Sequence, residues 1–449
     1  METLLADFQL DRPTWFYLSL LLIVAIYFRF ARVWSLRNLD LALLLALSPG
    51  LLFVERGFAL GFVWLFAASA VILARMLVDP LFERRPRLPQ NLNTAGLTFL
   101  LAACALIYTA EILTTDRLPK SALQTAHRAG NLVEMKDASR YSPAANSEDP
   151  PIGPAATVFT APAVGLSRAV TQGEPALAAD LPVRIAAILA HVSLVTALVM
   201  LGWRQFGDLH LGVAMATLYL LVPCTAYNVS QVNHILPCAL ILWAVYFYRN
   251  PFASGGLLGL ACGTLFFPVF LLPVWMTFYG LRNTLRFGAA LSAVWIALLG
   301  SIAMTSVDTE SFLHQVLGLI DWSMLDFGNS KSTGVWTGIS PYYRMPVFAL
   351  FVVMTGMLAW WPKARKVETL LARSAAVIVG TQFWYPQNGG VYLLWYVPLL
   401  LAVIFRPALS QLTPPPLMAW PWQRRSKTGV AAQPQATPAG VELVRPLFR

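Results

Sequence analysis

Long apolar runs recur along most of the chain, separated by short polar stretches that contain arginine, lysine or proline. Such runs are long enough to cross the hydrocarbon core of a bilayer as helices. They are continuous rather than alternating, so the pattern predicts helices and not the strands of a membrane barrel. We predict eleven spans, near 15–31, 39–54, 57–76, 95–113, 183–202, 210–228, 233–248, 287–306, 344–361, 369–385 and 391–405.

One further apolar segment, 254–279, reads SGGLLGLACGTLFFPVFLLPVWMTFY and carries Pro268 in its middle. Proline lacks an N–H and disfavours a helical residue before it, so we predict a helix break near Phe267–Pro268. The segment then forms a hairpin of two short helices, whose freed backbone groups must be covered by protein. Its glycines would let neighbouring helices approach closely. They are Gly255, Gly256, Gly259 and Gly263. The predicted fold class is therefore all-α, a polytopic transmembrane bundle of about eleven spans plus a broken hairpin.

Basic residues indicate the orientation of these spans, because Lys and Arg collect in cytoplasmic loops. They are Arg29, Arg32, Arg37, Arg84, Arg85, Arg87, Arg204, Arg249, Arg282, Arg286, Lys363, Arg365, Lys366, Arg424, Arg425 and Lys427. Placing all of them inside puts the N-terminus outside and the C-terminus in the cytoplasm. Segments 114–182 and 307–343 then lie outside. We expect an integral protein of a bacterial inner membrane.

Composition supports this class. Only 12% of the residues are charged and 57% are hydrophobic, whereas a soluble domain carries about 25% charged residues. The net charge of +10 is accounted for by the cytoplasmic loops, and we find no nucleic-acid-binding motif. The cysteines lie in apolar stretches without CxxC spacing, which favours buried packing. The predicted spans are nearly free of charge and show no internal repeat, which argues against a transporter.

The two long polar segments differ in pattern. Within 114–182, the stretch RLPKSALQTAHRAGNLVEMKD is compatible with a surface helix, whereas DASRYSPAANSEDPPIGP is typical of disorder. The C-terminal segment 407–449 is predicted to be a flexible basic cytoplasmic tail. The acidic start METLLADFQLDRP lacks the basic beginning of a signal peptide, so we expect the first span to be retained.

Several motifs follow one another from the long outer segment onward. WRQFGD comes after a span, and Gln231 and Asn233 form a Gln-x-Asn pair that opens the next outward-starting span. GGLLGLACGTLFFPVFLLP and TQFWYPQNGGVYLLWYVPLLLAVIFRP follow. In this order they resemble the polytopic GT-C glycosyltransferases, especially the polyprenol-phosphate-dependent mannosyltransferase-like group. The resemblance covers roughly 95–406, which implies a GT-C-like core preceded by added helices in 1–94.

The resemblance implies a reaction. A sugar such as mannose would pass, with inversion, from a polyprenyl-phosphate donor to an acceptor hydroxyl on the outer face. It implies no cofactor beyond that lipid-linked donor; the need for a divalent metal stays open, because the acids are too dispersed to suggest a ligand set. The expected partners are membrane lipids and the lipid-linked sugar.

The family reaction needs a carboxylate that takes the acceptor proton, and family members hold it in the long outer loop. Asp116 and Asp137 are the candidates for this catalytic role. Asp116 also fits a solvated helix-end charge beside Arg117, and Glu148–Asp149 fit charges of a disordered loop. The chain has Phe266 and Phe267 where the family often has a lysine at the hairpin, and its early loop acids are single rather than paired. These departures keep a non-catalytic relative open.

Polar side chains at the predicted outer rim are candidates for substrate binding. Gln231, Asn233 and His234 could hydrogen-bond a sugar or phosphate, or could belong to an ordinary helix start capped by Asn228 or Ser230. The remaining candidates are Lys331 and Arg344 as phosphate ligands, Gln382 as a cavity-lining amide, and Trp322, Trp336, Tyr342 and Tyr343 as sugar-stacking rings or an interfacial belt. The leading hypothesis is thus a glycosyltransferase, and the alternative is a scaffold or lipid binder of the same fold.

Overall fold

The computed structural model describes residues 12–82, 90–115, 118–136, 150–171, 175–320, 322–328, 332–360, 365–409 and 411–416. Within these residues the regular structure is helical, and the one isolated β-bridge joins Gly334 and Gly389. The predicted all-α class is confirmed. The described residues as far as Pro415 belong to one compact unit.

Most of the α-helices are joined by short connections, and the longest described connection, 318–343, contains only short 3-10 turns in its described residues. The α-helices are α1 (Arg12–Tyr27), α2 (Leu36–Glu55), α3 (Ala59–Leu77), α4 (Thr94–Thr114), α5 (Lys120–Glu134), α6 (Pro154–Thr171), α7 (Pro175–Met200), α8 (Leu209–Leu221), α9 (Pro223–Tyr227), α10 (Val232–Tyr246), α11 (Pro251–Cys262), α12 (Leu272–Met304), α13 (Thr309–Leu317), α14 (Arg344–Trp360), α15 (Val367–Trp384) and α16 (Val397–Phe405). A π-turn at Leu201–Gln205 extends α7, and a 3-10 turn at Phe267–Leu271 precedes α12.

Six helices of the described chain are long and apolar enough to cross a membrane. They lie at Leu36–Glu55, Ala59–Leu77, Thr94–Thr114, Asp180–Gln205, Phe267–Met304 and Pro341–Trp360. Four shorter apolar helices accompany them, at Thr14–Tyr27, Leu209–Leu221, Val232–Tyr246 and Pro251–Cys262. Large apolar side chains such as Leu106, Ile296 and Leu350 are about 70% exposed on the outside of the bundle. An integral membrane protein accounts for these features, because lipid covers such surfaces.

The centre of the bundle is formed by helices that are apolar on all sides. Every residue of α8 from Leu211 to Leu221 is buried, and so is every residue of α16. A helix that is hydrophobic all round must be surrounded by other elements. These helices are therefore packed by protein rather than lipid.

The predicted helix break is present next to Phe267–Pro268: α11 ends at Cys262, and the following 3-10 turn begins at Phe267. A second interruption follows at Gly280, whose φ of 69° leaves the helical region inside α12. The Tyr279 hydroxyl donates to the Tyr248 carbonyl at 2.8 Å. The chain has therefore returned to the end of the bundle from which α11 started.

Glycines on α11 allow the part of α12 after Gly280 to run alongside it. A Cβ on Gly255 would lie 2.2 Å from the Phe287 carbonyl oxygen, and one on Gly263 would lie 2.5 Å from Leu298 Cδ1. The contacts advance in the same direction along both helices, so the two segments are parallel. Gly256, by contrast, has its nearest neighbour at 3.9 Å and takes no part in this close approach.

The described residues of the segment 114–182 are mainly helical. The surface helix predicted there is present as α5, which buries Ala122, Thr125 and Ala129 on one face. The Pro- and Ala-rich stretch forms α6, which begins at Pro154, a position where proline costs no hydrogen bond. Gly153 N–H donates to the Thr264 carbonyl at 2.8 Å. The segment thus satisfies backbone groups freed at the hairpin break. Of the stretch predicted to be disordered, 137–154, residues 137–149 lie outside the described residues. For 150–154 the prediction is wrong, because these residues lead into α6 and Ile152 and Gly153 are buried.

A buried ionic network joins the first helices to the last ones. Arg75 donates to both carboxylate oxygens of Asp40, at 2.7 and 3.1 Å, and to Asp79 at 3.0 Å. Arg406 in turn bonds Asp79 and donates to Glu368 at 3.0 Å. The side chains of Arg75, Asp40, Asp79 and Arg406 are at most 5% exposed. The sequence analysis did not single out these charges, which lie at the ends of spans.

Candidate functional site

The candidate site begins at the turn between α9 and α10, where the chain reads SQVNHILP. Gln231 precedes α10 and makes no side-chain capping bond, and the Asn228 amide instead donates to the Cys224 carbonyl at 3.0 Å. Asn233 and His234 are 2% and 7% exposed. Asn233 and His234 are therefore buried inside the bundle rather than meeting water at an ordinary helix start, whereas Gln231 is partly buried.

His234 is held by aromatic side chains from the segment before α16. Its ring stacks on Tyr392 and Trp395, with centroids 5.3 and 5.9 Å away. Trp395 Nε1 donates to His234 Nδ1 at 2.7 Å. Because an indole only donates, Nδ1 is the acceptor and the hydrogen of the neutral ring is on Nε2.

The aromatic stack continues to the hairpin break. Trp395 stacks on Tyr392 at 4.3 Å and on Phe267 at 4.6 Å, and Phe266 stacks on Tyr385 at 4.8 Å. Phe266 and Phe267, at the hairpin break, thus join the break to the C-terminal segment. Stacked ring pairs of this kind contribute stability beyond their buried area.

Three buried amide atoms at this site have no hydrogen-bond partner in the described chain: Gln231 Oε1, Asn233 Nδ2 and Gln382 Oε1. The other ends of two of these side chains are bonded. Asn233 Oδ1 accepts from Thr125 Oγ1 of α5 at 3.4 Å, and Gln382 Nε2 donates to the Tyr392 carbonyl at 2.8 Å. We call Gln231, Asn233 and Gln382 the amide cluster. Unpaired buried polar atoms are costly, so each calls for a bound water or ligand.

Arg344, the candidate phosphate ligand, lies at the start of α14. It is fully buried, and it donates to the Trp384 carbonyl at 3.0 Å and to the Met324 carbonyl at 2.8 Å. Its guanidinium also lies over the Phe327 ring at 5.3 Å. These contacts tie the start of α14 to the end of α15, next to the aromatic stack.

The catalytic candidates Asp116 and Asp137 and the binding candidate Lys331 lie outside the described part of the chain, as do the loop acids Glu148 and Asp149. The catalytic role of Asp116 and Asp137 and the binding role of Lys331 stay predictions. Of the candidate stacking rings, Trp336 is buried and its Nε1 donates to the Phe383 carbonyl at 3.2 Å. Trp322, Tyr342 and Tyr343 are more than half exposed.

The sequence analysis missed a second buried histidine that supports the site from α7. Because a carbonyl only accepts, His191 donates from Nε2 to the Val229 carbonyl at 3.0 Å, and its Nδ1 lies 3.0 Å from the Tyr219 hydroxyl. Val229 is two residues before Gln231, so this bond fixes the turn that carries the amide cluster. The sequence signal for His191 was its position as a single histidine in an apolar span.

The cysteines and acids suggest no metal centre in the described residues. Cys104, Cys224, Cys238 and Cys262 are all buried, as predicted, and none is in a disulfide. The described chain holds no group of three His, Cys, Asp or Glu side chains placed to bind an ion.

Comparison of the chain with protein-family models, with curated proteins and with solved structures finds no match.

Proposed function

We propose that the protein is a membrane glycosyltransferase of the GT-C type, which transfers a sugar from a polyprenyl phosphate to an acceptor hydroxyl. The observation that carries the proposal is the amide cluster, whose unpaired atoms lie at the start of α10 and the end of α15. Sugar hydroxyls and phosphate oxygens are the groups that such amides bind. The order of the sequence motifs from 95 to 406 supports the same assignment.

The candidate acids flank, in sequence, the helix that covers this cluster. Asp116 falls between α4 and α5, and Asp137 follows α5. Thr125 of α5 bonds Asn233 directly. A loop acid carried by the same helix could therefore meet a donor bound at the amide cluster.

The proposed chemistry is a single displacement. The acceptor oxygen attacks the anomeric carbon while the carbon–oxygen bond to phosphate breaks and its electron pair leaves with the polyprenyl phosphate. The loop carboxylate takes the hydroxyl proton. Positive groups or amides must bind the leaving phosphate, and Lys331 is the proposed cation, because Arg344 is already engaged by two carbonyls.

In this proposal the chain crosses a bacterial inner membrane with eleven spans and the hairpin. The N-terminus and the amide cluster face outward, and the basic tail lies in the cytoplasm. Residues 1–94 are helices added before a GT-C-like core. The positive-inside rule supports this orientation, since the basic segments then share one side.

A second function is favoured by the internal contacts of the site. Arg344 and His234 are bonded to protein groups rather than directed into open space. A non-catalytic protein of the same fold, which binds a lipid or organises a complex, would use these residues for stability alone.

Turnover measurements separate the two functions. Purified protein in lipid is given a panel of polyprenyl-phosphate sugars and acceptor glycans, and released polyprenyl phosphate is followed by mass spectrometry. Loss of turnover in Asp116→Asn or Asp137→Asn, with turnover kept in the control Asp180→Asn, would establish the transferase and its base. Binding of a donor without release, unchanged in both variants, would favour the non-catalytic protein.

A further inference from the structure

A cavity of about 510 Å³ lies at the other end of α15 from the amide cluster. It is enclosed by the α12 segment around Gly280, the end of α14 and the beginning of α15. Glu368 and Gln382 are separated by roughly 21 Å along α15 at 1.5 Å per residue. The cavity is therefore distinct from the candidate active site.

Three basic residues line the cavity, Arg365, Lys366 and Arg373, and we call them its cationic floor; most of the remaining lining is apolar. None of the lining residues of the described chain is acidic. Glu368, which does not line the cavity, accepts from Arg406 at 3.0 Å and lies 3.8 Å from Lys366 Nζ. The lining residues of the described chain thus carry three basic groups and no acidic one.

The kink at Gly280 leaves space for the guanidinium group of Arg365. Gly280 has a φ of 69°, which L-residues rarely adopt, and a Cβ there would lie 2.6 Å from Arg365 Nη1. Arg365 therefore rests directly against the kinked backbone. Replacing the glycine would push the guanidinium away from its place in the cavity.

The rim of the cavity is apolar and exposed. Leu281 and Trp360 are 83% and 79% exposed, and Met276 is 45% exposed. Exposed apolar residues around a cationic floor fit a molecule with a phosphate and acyl chains, because tryptophan and leucine contact lipid while arginine binds phosphate. A soluble phosphate would gain nothing from this rim.

We propose that this cavity binds the phosphate headgroup of an anionic phospholipid, through Arg365, Lys366 and Arg373. Basic pockets between membrane helices bind such headgroups in this manner. The site stands independently of the proposed transferase, because it shares no residue with the amide cluster.

The proposal is tested by native mass spectrometry and thermal unfolding with phosphatidylglycerol, phosphatidylcholine or inorganic phosphate as the probe. We expect saturable binding of phosphatidylglycerol, weakened about tenfold or more in Arg365→Gln and in Arg373→Gln. The control Arg56→Gln, which removes an exposed arginine elsewhere, should bind like wild type. Arg365 is itself exposed, so its variant should fold normally.

Equal binding by wild type and both cavity variants would overturn the site. Equal affinity for phosphatidylcholine would show that charge plays no part and would also contradict it. If inorganic phosphate displaces the lipid completely at comparable concentration, the lipid assignment is wrong and the cavity is a site for free phosphate.

Discussion

At the scale of single residues, several charged side chains are buried inside the bundle, where an unpaired charge is most costly. Arg75 and Arg406 lie at most 5% exposed, and each meets two carboxylates. Removing one member of a buried network leaves its partners charged and desolvated. The network therefore stabilises the packing of the first helices against the last ones.

Arg75→Ala is expected to destabilise the folded protein by about 3–5 kcal/mol, because Asp40 and Asp79 lose a shared partner inside the bundle. Unfolding in detergent, followed by denaturant titration, measures the change. Arg56→Ala, at an exposed position, is the control and should stay within about 0.5 kcal/mol of wild type. Matching stabilities for the two variants would show that the network is not held in the folded protein.

Trp395→Phe keeps a ring for stacking but removes the donor to His234 Nδ1. A buried acceptor left unpaired costs about 1–3 kcal/mol, so we expect the free energy of unfolding to fall by that amount. Trp34→Phe is the matched control, because Trp34 is fully exposed. An unchanged stability in Trp395→Phe would contradict the hydrogen bond.

At the scale of helices, the hairpin depends on close approach between α11 and α12. Gly255→Ala would place a methyl group 2.2 Å from the Phe287 carbonyl oxygen, and overpacking of this kind costs about 1–3 kcal/mol. Gly256→Ala is the neighbouring control; its methyl group meets nothing closer than 3.9 Å. Alanine is also the better helix former, by about 1 kcal/mol, so this control should match or exceed wild type in thermal stability. If Gly255→Ala were more stable to heat than Gly256→Ala, this would contradict the close packing of α11 against α12.

The contact between α5 and α6 should depend on pH. Lys136 donates a hydrogen bond to the Glu134 carboxylate and so lowers the pKa of Glu134, and Arg168 on α6 lowers it further. A carboxylate with a lowered pKa in the folded state stabilises that state above its ordinary pKa and loses this contribution as the pH falls through the lowered value.

We therefore expect hydrogen exchange of α5 to quicken as the pH falls below about 4, after correction for the intrinsic exchange rate. In Glu134→Gln this additional acceleration should be absent. An identical pH profile in wild type and variant would contradict the ion pair.

At the scale of the whole molecule, the all-α class and the break beside Pro268 could be predicted from the sequence, because both follow from local chemistry. The position of Arg344 could not: a basic residue at a predicted outer end gave no sign that it would bond the Trp384 and Met324 carbonyls. The ionic network could not be predicted from the sequence for the same reason. Asp40 and Glu368 are far apart in sequence, and only the packing of α2 against α3, and of α3 against α15, brings their partners together.

The amide cluster was predicted in part. The Gln-x-Asn pair and Gln382 were singled out as polar residues in apolar surroundings, which is a signal carried by sequence alone. The burial of Asn233 beneath α5 was not predicted, because it depends on a long-range contact between Thr125 and Asn233. His191 was overlooked, since nothing in its own segment showed that it would bond the turn at Val229.

The most direct test of the account is the affinity of the purified protein for a polyprenyl-phosphate sugar, measured in nanodiscs for wild type, Asn233→Ala and Gln205→Ala. Gln205 is the control, because its amide donates to the Tyr246 carbonyl at the far end of α10. We expect Asn233→Ala to bind about tenfold more weakly, through loss of one buried hydrogen bond to the ligand, and Gln205→Ala to bind like wild type. No saturable binding by wild type, or equal affinity in all three proteins, would contradict the assignment of the amide cluster as the donor site.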